Sequence, residues 1–278
     1  MYNMYNMIYR NRKVEQCAYR FLKTLPRRIA QFPVNVKDAI LTLNNCRIHS
    51  YQQFAQHHHV SVADVTDYCE SAEGCTVKDA GNYIIIYNDD ESVIEERKIF
   101  TLAHELGHIL LGHCDLIEKY HINRDDVRNK VFGREANYFA ACLLCPMPVL
   151  SFIEPETVRS VRIIFRLSNE AAQISFNDLE NYDKNYNIQW HNDMLHLFDF
   201  ELELLKIFTC RIDYIDRLMQ VKYAAEVREP KADDFPPGIF ISVPKHMPTP
   251  CFADKIYPRK AEVTFTKMFT ESPDFDFL

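Results

Sequence analysis

The sequence predicts an α+β fold, mainly helical with a small β-sheet, followed by a helical and then irregular C-terminal region. Three observations predict it. Apolar residues recur at helical spacing along most of the chain, two short runs have strand character, and the stretch after Arg228 loses both signals, with seven prolines before Lys260.

Taken in order, Val14, Cys17, Phe21, Leu22 and Leu25 mark a helix within residues 14–31, and Val36, Ile40 and Leu43 repeat the spacing after Pro33. The run from Cys46 to Tyr51 alternates apolar and polar residues like a half-buried strand. Asn82 to Tyr87 is a β-branched and aromatic run that ends at the turn-like Asn88-Asp89-Asp90. Ser92 and Glu95 have capping-box spacing, in which each side chain satisfies an orphan amide at a helix start. A long helix is therefore expected from about Ser92 to Gly112, a residue suited to a left-handed C-cap. A second helix covers about Arg134 to Leu144 and is closed by Cys145-Pro146-Met147-Pro148, because proline cannot continue it. Val158–Leu179 reads as helix, turn, helix with Ser168 as the N-cap, and Met194 to about Val221 as two more helices. The resulting division is an N-terminal helical extension at 1–30, a core domain at 31–185 that includes a helix-turn-helix-like segment at 158–181, and a C-terminal helical region at 186–278 with a Pro-rich, partly irregular tail.

Bulk properties narrow the function. A net charge of −7 and a pI near 5.9 provide no basic footprint, so phosphate neutralisation is not expected to be the main activity. The first ten residues lack a cationic start followed by an apolar run, and no stretch is expected to reach the roughly 20 apolar residues of a membrane span. Nine cysteines, an odd number, read as reduced and mostly buried thiols in a cytoplasmic protein. Cys142 and Cys145 have C-x-x-C spacing, but no second pair follows at zinc-finger spacing, so they read as core residues. His57, His58 and His59 are adjacent and cannot all face one ion on regular structure; they read as solvated surface.

The chemistry is carried by His104-Glu105-Leu106-Gly107-His108, an H-E-x-x-H motif. Residues four apart sit one turn above each other on a helix, so both imidazoles can face one metal. Glu105 is rotated about 100° from His104, which keeps it off the metal but near the water that attacks a peptide bond, where a general base belongs. Zinc in such a site acidifies that water and polarises the scissile carbonyl. A third protein ligand is needed. The metzincin continuation would require Gly at 111 and His at 114, where this chain has Leu111 and Cys114. Glu135, on the next helix, is the preferred candidate, with His113, Asp115, Glu118 and His121 as competitors just past the end of the first helix. Ala103 and Gly107 on one helix, and Ala136 and Ala140 on the other, are small enough to let the two backbones approach.

These residues resemble the ImmA/IrrE family of metallopeptidases in two blocks: Lys98 to His113, containing F-T-L-A-H-E-L-G-H, and Arg134 to Pro146, containing E-A-N-Y-F-A-A followed by Leu143-Leu144-Cys145-Pro146. Cys145 stands where the family usually has Met. The likeness extends more weakly over about residues 30–185 and covers neither 1–30 nor the chain beyond about 210. It implies a zincin-like domain at 31–185, with His104, His108 and Glu135 as zinc ligands and Glu105 as the catalytic carboxylate. For several relatives it implies cleavage of a helix-turn-helix repressor of a mobile element or stress response.

The rival expectation is a non-proteolytic regulator that senses metal or stress and binds DNA or protein. Against it, the second helix of the helix-turn-helix-like segment, Asn169 to Asn181, has Glu170, Asp178 and Glu180 and no Lys or Arg, which does not suit a major-groove reader. A third reading is an inactive zincin used as a binding module, though all four expected residues are present. Tyr120, His121 and Tyr138 are candidates to stabilise the oxyanion. Tyr83–Tyr87 reads either as a covered core strand or as an edge that holds substrate by strand addition.

Overall fold

The computed structural model describes residues 2–120, 127–182 and 188–226. In chain order these form α1 (Tyr2–Thr24), α2 (Val36–Leu41), β1 (Cys46–Ser50), α3 (Tyr51–His58), α4 (Val62–Cys69), β2 (Gly74–Asp79), β3 (Asn82–Tyr87), α5 (Glu95–Leu110), α6 (His113–Tyr120), α7 (Val127–Leu144), α8 (Met147–Ile153), α9 (Val158–Phe165), α10 (Asn169–Glu180), α11 (Ile188–Leu197) and α12 (Asp199–Glu226). The fold is α+β and mostly helical, with one three-stranded mixed sheet. The Pro-rich stretch and the ESPDFDFL end lie outside the described residues.

The strand order is β1-β3-β2, with β1 parallel and β2 antiparallel to β3. β2 and β3 are joined through Ala80 and Gly81, both at positive φ (47° and 83°), the geometry of a tight turn that matches the twist of a hairpin. β3 is therefore the central strand, which decides between the two readings of Tyr83–Tyr87 in favour of the covered one: Cys46↔Tyr83 to Ser50↔Tyr87 fill one side and Gly74↔Tyr87 to Asp79↔Asn82 the other. Side chains alternate across a strand. Ile85 and Tyr87 join the main core with Leu102 and Leu106 of α5, whereas Ile86 packs in a smaller cluster with Tyr51, Ala55, Val65 and Cys69 of α3 and α4. The sheet is thus a partition with α5 on one face and α3 and α4 on the other.

Behind α5 stands α7, and behind that α1, which buries Val14, Ala18, Leu22 and Leu25 in the same core as Phe139 and Leu143. Val127–Ile153 has the length and mean hydropathy (1.6) of a membrane span, contrary to the expectation that no stretch approaches one. It is two helices, α7 and α8, divided at Pro146, and 72% of its window is buried against the rest of the protein. Ser168 caps α10 as expected, accepting a bond from the Ala171 amide at 3.2 Å. α12 is fastened to the start of α9 by a buried polar cluster: Asp213 accepts from the hydroxyls of Thr157 and Ser160 and the Glu156 amide, and Asp216 from Arg159. Cys69 and Cys75 are paired as a disulfide, which corrects the reading of the cysteines as uniformly reduced.

Candidate metal centre and active site

α5 starts two residues later than its capping-box spacing suggests. The Ser92 hydroxyl turns to Asp90 at 2.6 Å, and Ile94 occupies the N-cap with no side-chain bond. Two carboxylates in the first turn, Glu95 and Glu96, complement the helix dipole instead. From there the helix dives between β2 and α7. A Cβ on Gly74 of β2 would lie 2.8 Å from Thr101 and 3.0 Å from the Ile86 carbonyl oxygen, so that contact needs glycine, and one on Gly107 would lie 3.0 Å from the Phe139 ring, which would have to give way. Ala103, Ala136 and Ala140 are fully buried, and α5 and α7 lie against each other along this small-residue seam.

On α5 the Nε2 atoms of His104 and His108 face each other at 3.1 Å. Two nitrogens on one tetrahedral zinc, with bonds of about 2.0–2.1 Å, stand roughly 3.4 Å apart. The pair is therefore already spaced to share an ion. His104 places its Nδ1 2.8 Å from the Asn137 side-chain oxygen. Burial lowers the His104 pKa against the opposing pull of that bond, and burial followed by the neighbouring His104 and His113 takes His108 down to about 3. Neutral imidazoles, the form that binds metal, are thereby favoured.

Glu105 is only 8% exposed and accepts a bond from the Thr76 hydroxyl of β2 at 2.7 Å. Burial raises its carboxyl to about 7, with the Thr76 bond acting in the opposite direction and the Glu73 charge adding to the rise. A carboxylate poised near neutrality can take a proton and give it back. The hydrogen-bond partner of Glu105 is on the sheet, whereas the two imidazoles face each other.

α6 begins at His113, directly after Gly112 at φ +73°, so the chain does fold straight back. His113 is 3% exposed, stacks on Phe132 with ring centroids 4.4 Å apart, places Nδ1 3.2 Å from His108 Nδ1 and Nε2 3.2 Å from Glu135 Oε2. Glu135 is thus brought to the site, separated from His108 by one imidazole. Among the described residues no three His, Cys, Asp or Glu side chains already stand as a metal cage. The donor chemistry nevertheless fits a divalent cation: two neutral imidazoles converge on one point, and the Glu135 carboxylate of the adjacent helix stands one imidazole away from His108.

Of the other candidates, Asp115 is turned to Lys78 (2.9 Å) and the Tyr83 hydroxyl (3.2 Å), and burial together with the Glu105 charge pushes the Cys114 thiol up to about 12. The side chains of Glu118, Tyr120 and His121 lie outside the described residues. Tyr138 has its hydroxyl with Cys142, near Glu15 of α1, on the far side of α7 from the imidazoles. Cys142 and Cys145 are core residues, and His57 to His59 are exposed at the end of α3. Sequence reasoning missed Thr76, Asn137 and the contacts of His113. The only signal for Thr76 was the β-branched Thr76-Val77 pair ahead of Gly81.

An H-E-x-x-H helix laid against a sheet, with a buried carboxylate between them and a second carboxylate on the next helix, defines a metallopeptidase-type site. Residues 45–176 match the family model of the IrrE N-terminal-like domain, Peptidase_M78, in agreement with the resemblance of the two sequence blocks to ImmA/IrrE metallopeptidases. No curated protein matches the chain.

Proposed function

We propose that this chain is a zinc-dependent endopeptidase of the cytoplasm, with zinc held by His104, His108 and Glu135 and with Glu105 as general base. The observation that carries the proposal is the 3.1 Å approach of two imidazole Nε2 atoms, one helical turn apart, beside a buried Glu105 whose pKa is raised to about 7. Two electron-rich nitrogens facing each other at that distance are stabilised by a cation between them. Bound zinc supplies a Lewis acid that polarises the scissile carbonyl and acidifies the attacking water.

The chain's own groups do the rest. Glu105 takes the proton of the attacking water and returns it to the leaving amine, and Thr76 holds the carboxylate toward the sheet so that one oxygen stays oriented. β2, which contributes Thr76, is an edge of the sheet. An extended peptide laid along it would be read through its backbone and delivered next to Glu105.

The substrate we propose is a regulatory protein, such as a helix-turn-helix repressor of a mobile element or stress response. Direct nucleic-acid binding is disfavoured further by Arg159, which is held by Asp216 at 2.6 Å, and by the absence of Lys or Arg on α10. The test is incubation of the zinc-loaded chain with the repressor encoded beside its gene, with Glu105→Gln as control. Site-specific cleavage by the wild type alone supports the proposal. Equal cleavage by the variant would overturn Glu105 as the base, and cleavage of other proteins but not the repressor would overturn the substrate.

A further inference from the structure

Behind the imidazole pair a chain of contacts runs from Glu135 through His113 to His108: His113 Nε2 lies 3.2 Å from Glu135 Oε2, and His113 Nδ1 lies 3.2 Å from His108 Nδ1. His108 Nε2 is then the ring atom that faces His104 Nε2 at 3.1 Å. On the other side, His104 Nδ1 lies 2.8 Å from the Asn137 side-chain oxygen.

We infer that His113 is a positioning residue for the metal centre, holding His108 at its Nδ1 while anchoring the Glu135 carboxylate, so that one buried imidazole orients a donor from each of two helices. The inference rests on the metal-site reading above. Three features of His113 support the role. It is 3% exposed, its ring is held flat on Phe132 with an interplanar angle of 13°, and it stands edge-on to His108 at a centroid distance of 5.1 Å. A side chain kept only for packing would not have both nitrogens matched to polar partners.

Asn137 performs the simpler, one-sided version for His104. The asymmetry has a consequence: losing Asn137 disturbs one ligand, whereas losing His113 frees His108 and Glu135 together. Groups that orient metal ligands in this way are typically worth about ten- to a hundredfold in metal affinity.

The test uses the full-length chain. Zinc affinity is measured by competition with a chelating dye for wild type, His113→Phe, which keeps a ring against Phe132, and Asn137→Ala. His113→Phe should weaken zinc about ten- to a hundredfold and more than Asn137→Ala does, while the cobalt-substituted protein keeps the ligand-field spectrum of an unchanged donor set. Affinity within twofold of wild type would overturn the positioning role, and a spectrum showing loss of a nitrogen donor would make His113 a ligand instead. Because neither readout involves peptide cleavage, failure of the peptidase reading and failure of this one are distinguishable.

Discussion

Among the described residues two clusters of buried polar groups stand out, one around Asp213 and one around His108, and they are built on opposite rules. Around Asp213, every acceptor meets a donor: the hydroxyls of Thr157 and Ser160, the Glu156 amide, and Arg159 on Asp216. The bonds close on themselves and clamp α12 to α9. Around His108, the contacts run from Glu135 through His113 to His108 and end in two imidazole Nε2 atoms that face each other across 3.1 Å. Burial of ionisable groups is common to both, so burial does not mark a functional site. What distinguishes the second cluster is that it ends in two ring nitrogens spaced to share an added cation.

Substitutions in the two clusters should therefore fail in different ways. Glu105→Gln should lower peptide cleavage by about a thousandfold, within the 10²–10⁴ range of general acid–base catalysis, with zinc content and melting temperature held or raised. Asp213→Ala should do the reverse, costing about 2–4 kcal/mol by leaving the Thr157 and Ser160 hydroxyls and the Glu156 amide without their acceptor, while activity per folded molecule stays within about twofold. Activity assays paired with urea denaturation separate the outcomes, and loss of stability in the first variant with loss of turnover in the second would erase the distinction.

A medium effect is expected in the metal-free protein between pH 4.5 and 6.5. His108 has a folded pKa of about 3, below its unfolded value, so its contribution is complete above about pH 6.5 and is lost as pH falls toward 3. Glu105 has a folded pKa of about 7, above its unfolded value, so the folded state gains stability from its protonation as pH falls through 7 toward 4.5. The two slopes oppose each other, each up to about 1.4 kcal/mol per pH unit. Wild-type stability should be nearly flat over this window with respect to the pair, and Glu105→Gln should make acid destabilisation visibly steeper. An identical slope in the two proteins would mean that one of these groups is not buried as described.

The smallest change is expected from Thr76→Val. Removing the hydroxyl removes a bond that holds the Glu105 pKa down, so the acid limb of kcat/KM should move to higher pH by less than about one unit, with a three- to tenfold loss at neutral pH. A shift to lower pH would show that the hydroxyl does not donate to the ionised carboxylate.

The same contrast explains what was legible in the sequence. α5 and α7 were, because long helices announce themselves by periodicity and the H-E-x-x-H spacing is itself a statement about helix geometry. The central strand was also visible as a hydrophobic run, but its place in the sheet was not. β2 is a six-residue strand with no two-residue Asn-Gly signal at its turn, and without β2 the strand Asn82–Tyr87 looks like an edge. The short helices α3, α4 and α6 fall below the length at which spacing is informative. His113 was underrated for a specific reason: reversal at Gly112 takes a single left-handed residue, which returns the next side chain onto the helix just left. The capping box at Ser92 failed because Asp90, two residues away, offered a closer partner.

The central claim is the donor set, and zinc X-ray absorption on the fully loaded chain tests it most directly. The account predicts two imidazole nitrogens and one carboxylate oxygen from the protein, at about 2.0–2.2 Å, with no sulfur at about 2.3 Å. Glu135→Ala should lose the carboxylate and keep both imidazoles. A third imidazole in the wild-type spectrum, or an unchanged spectrum in the Glu135 variant, would contradict it.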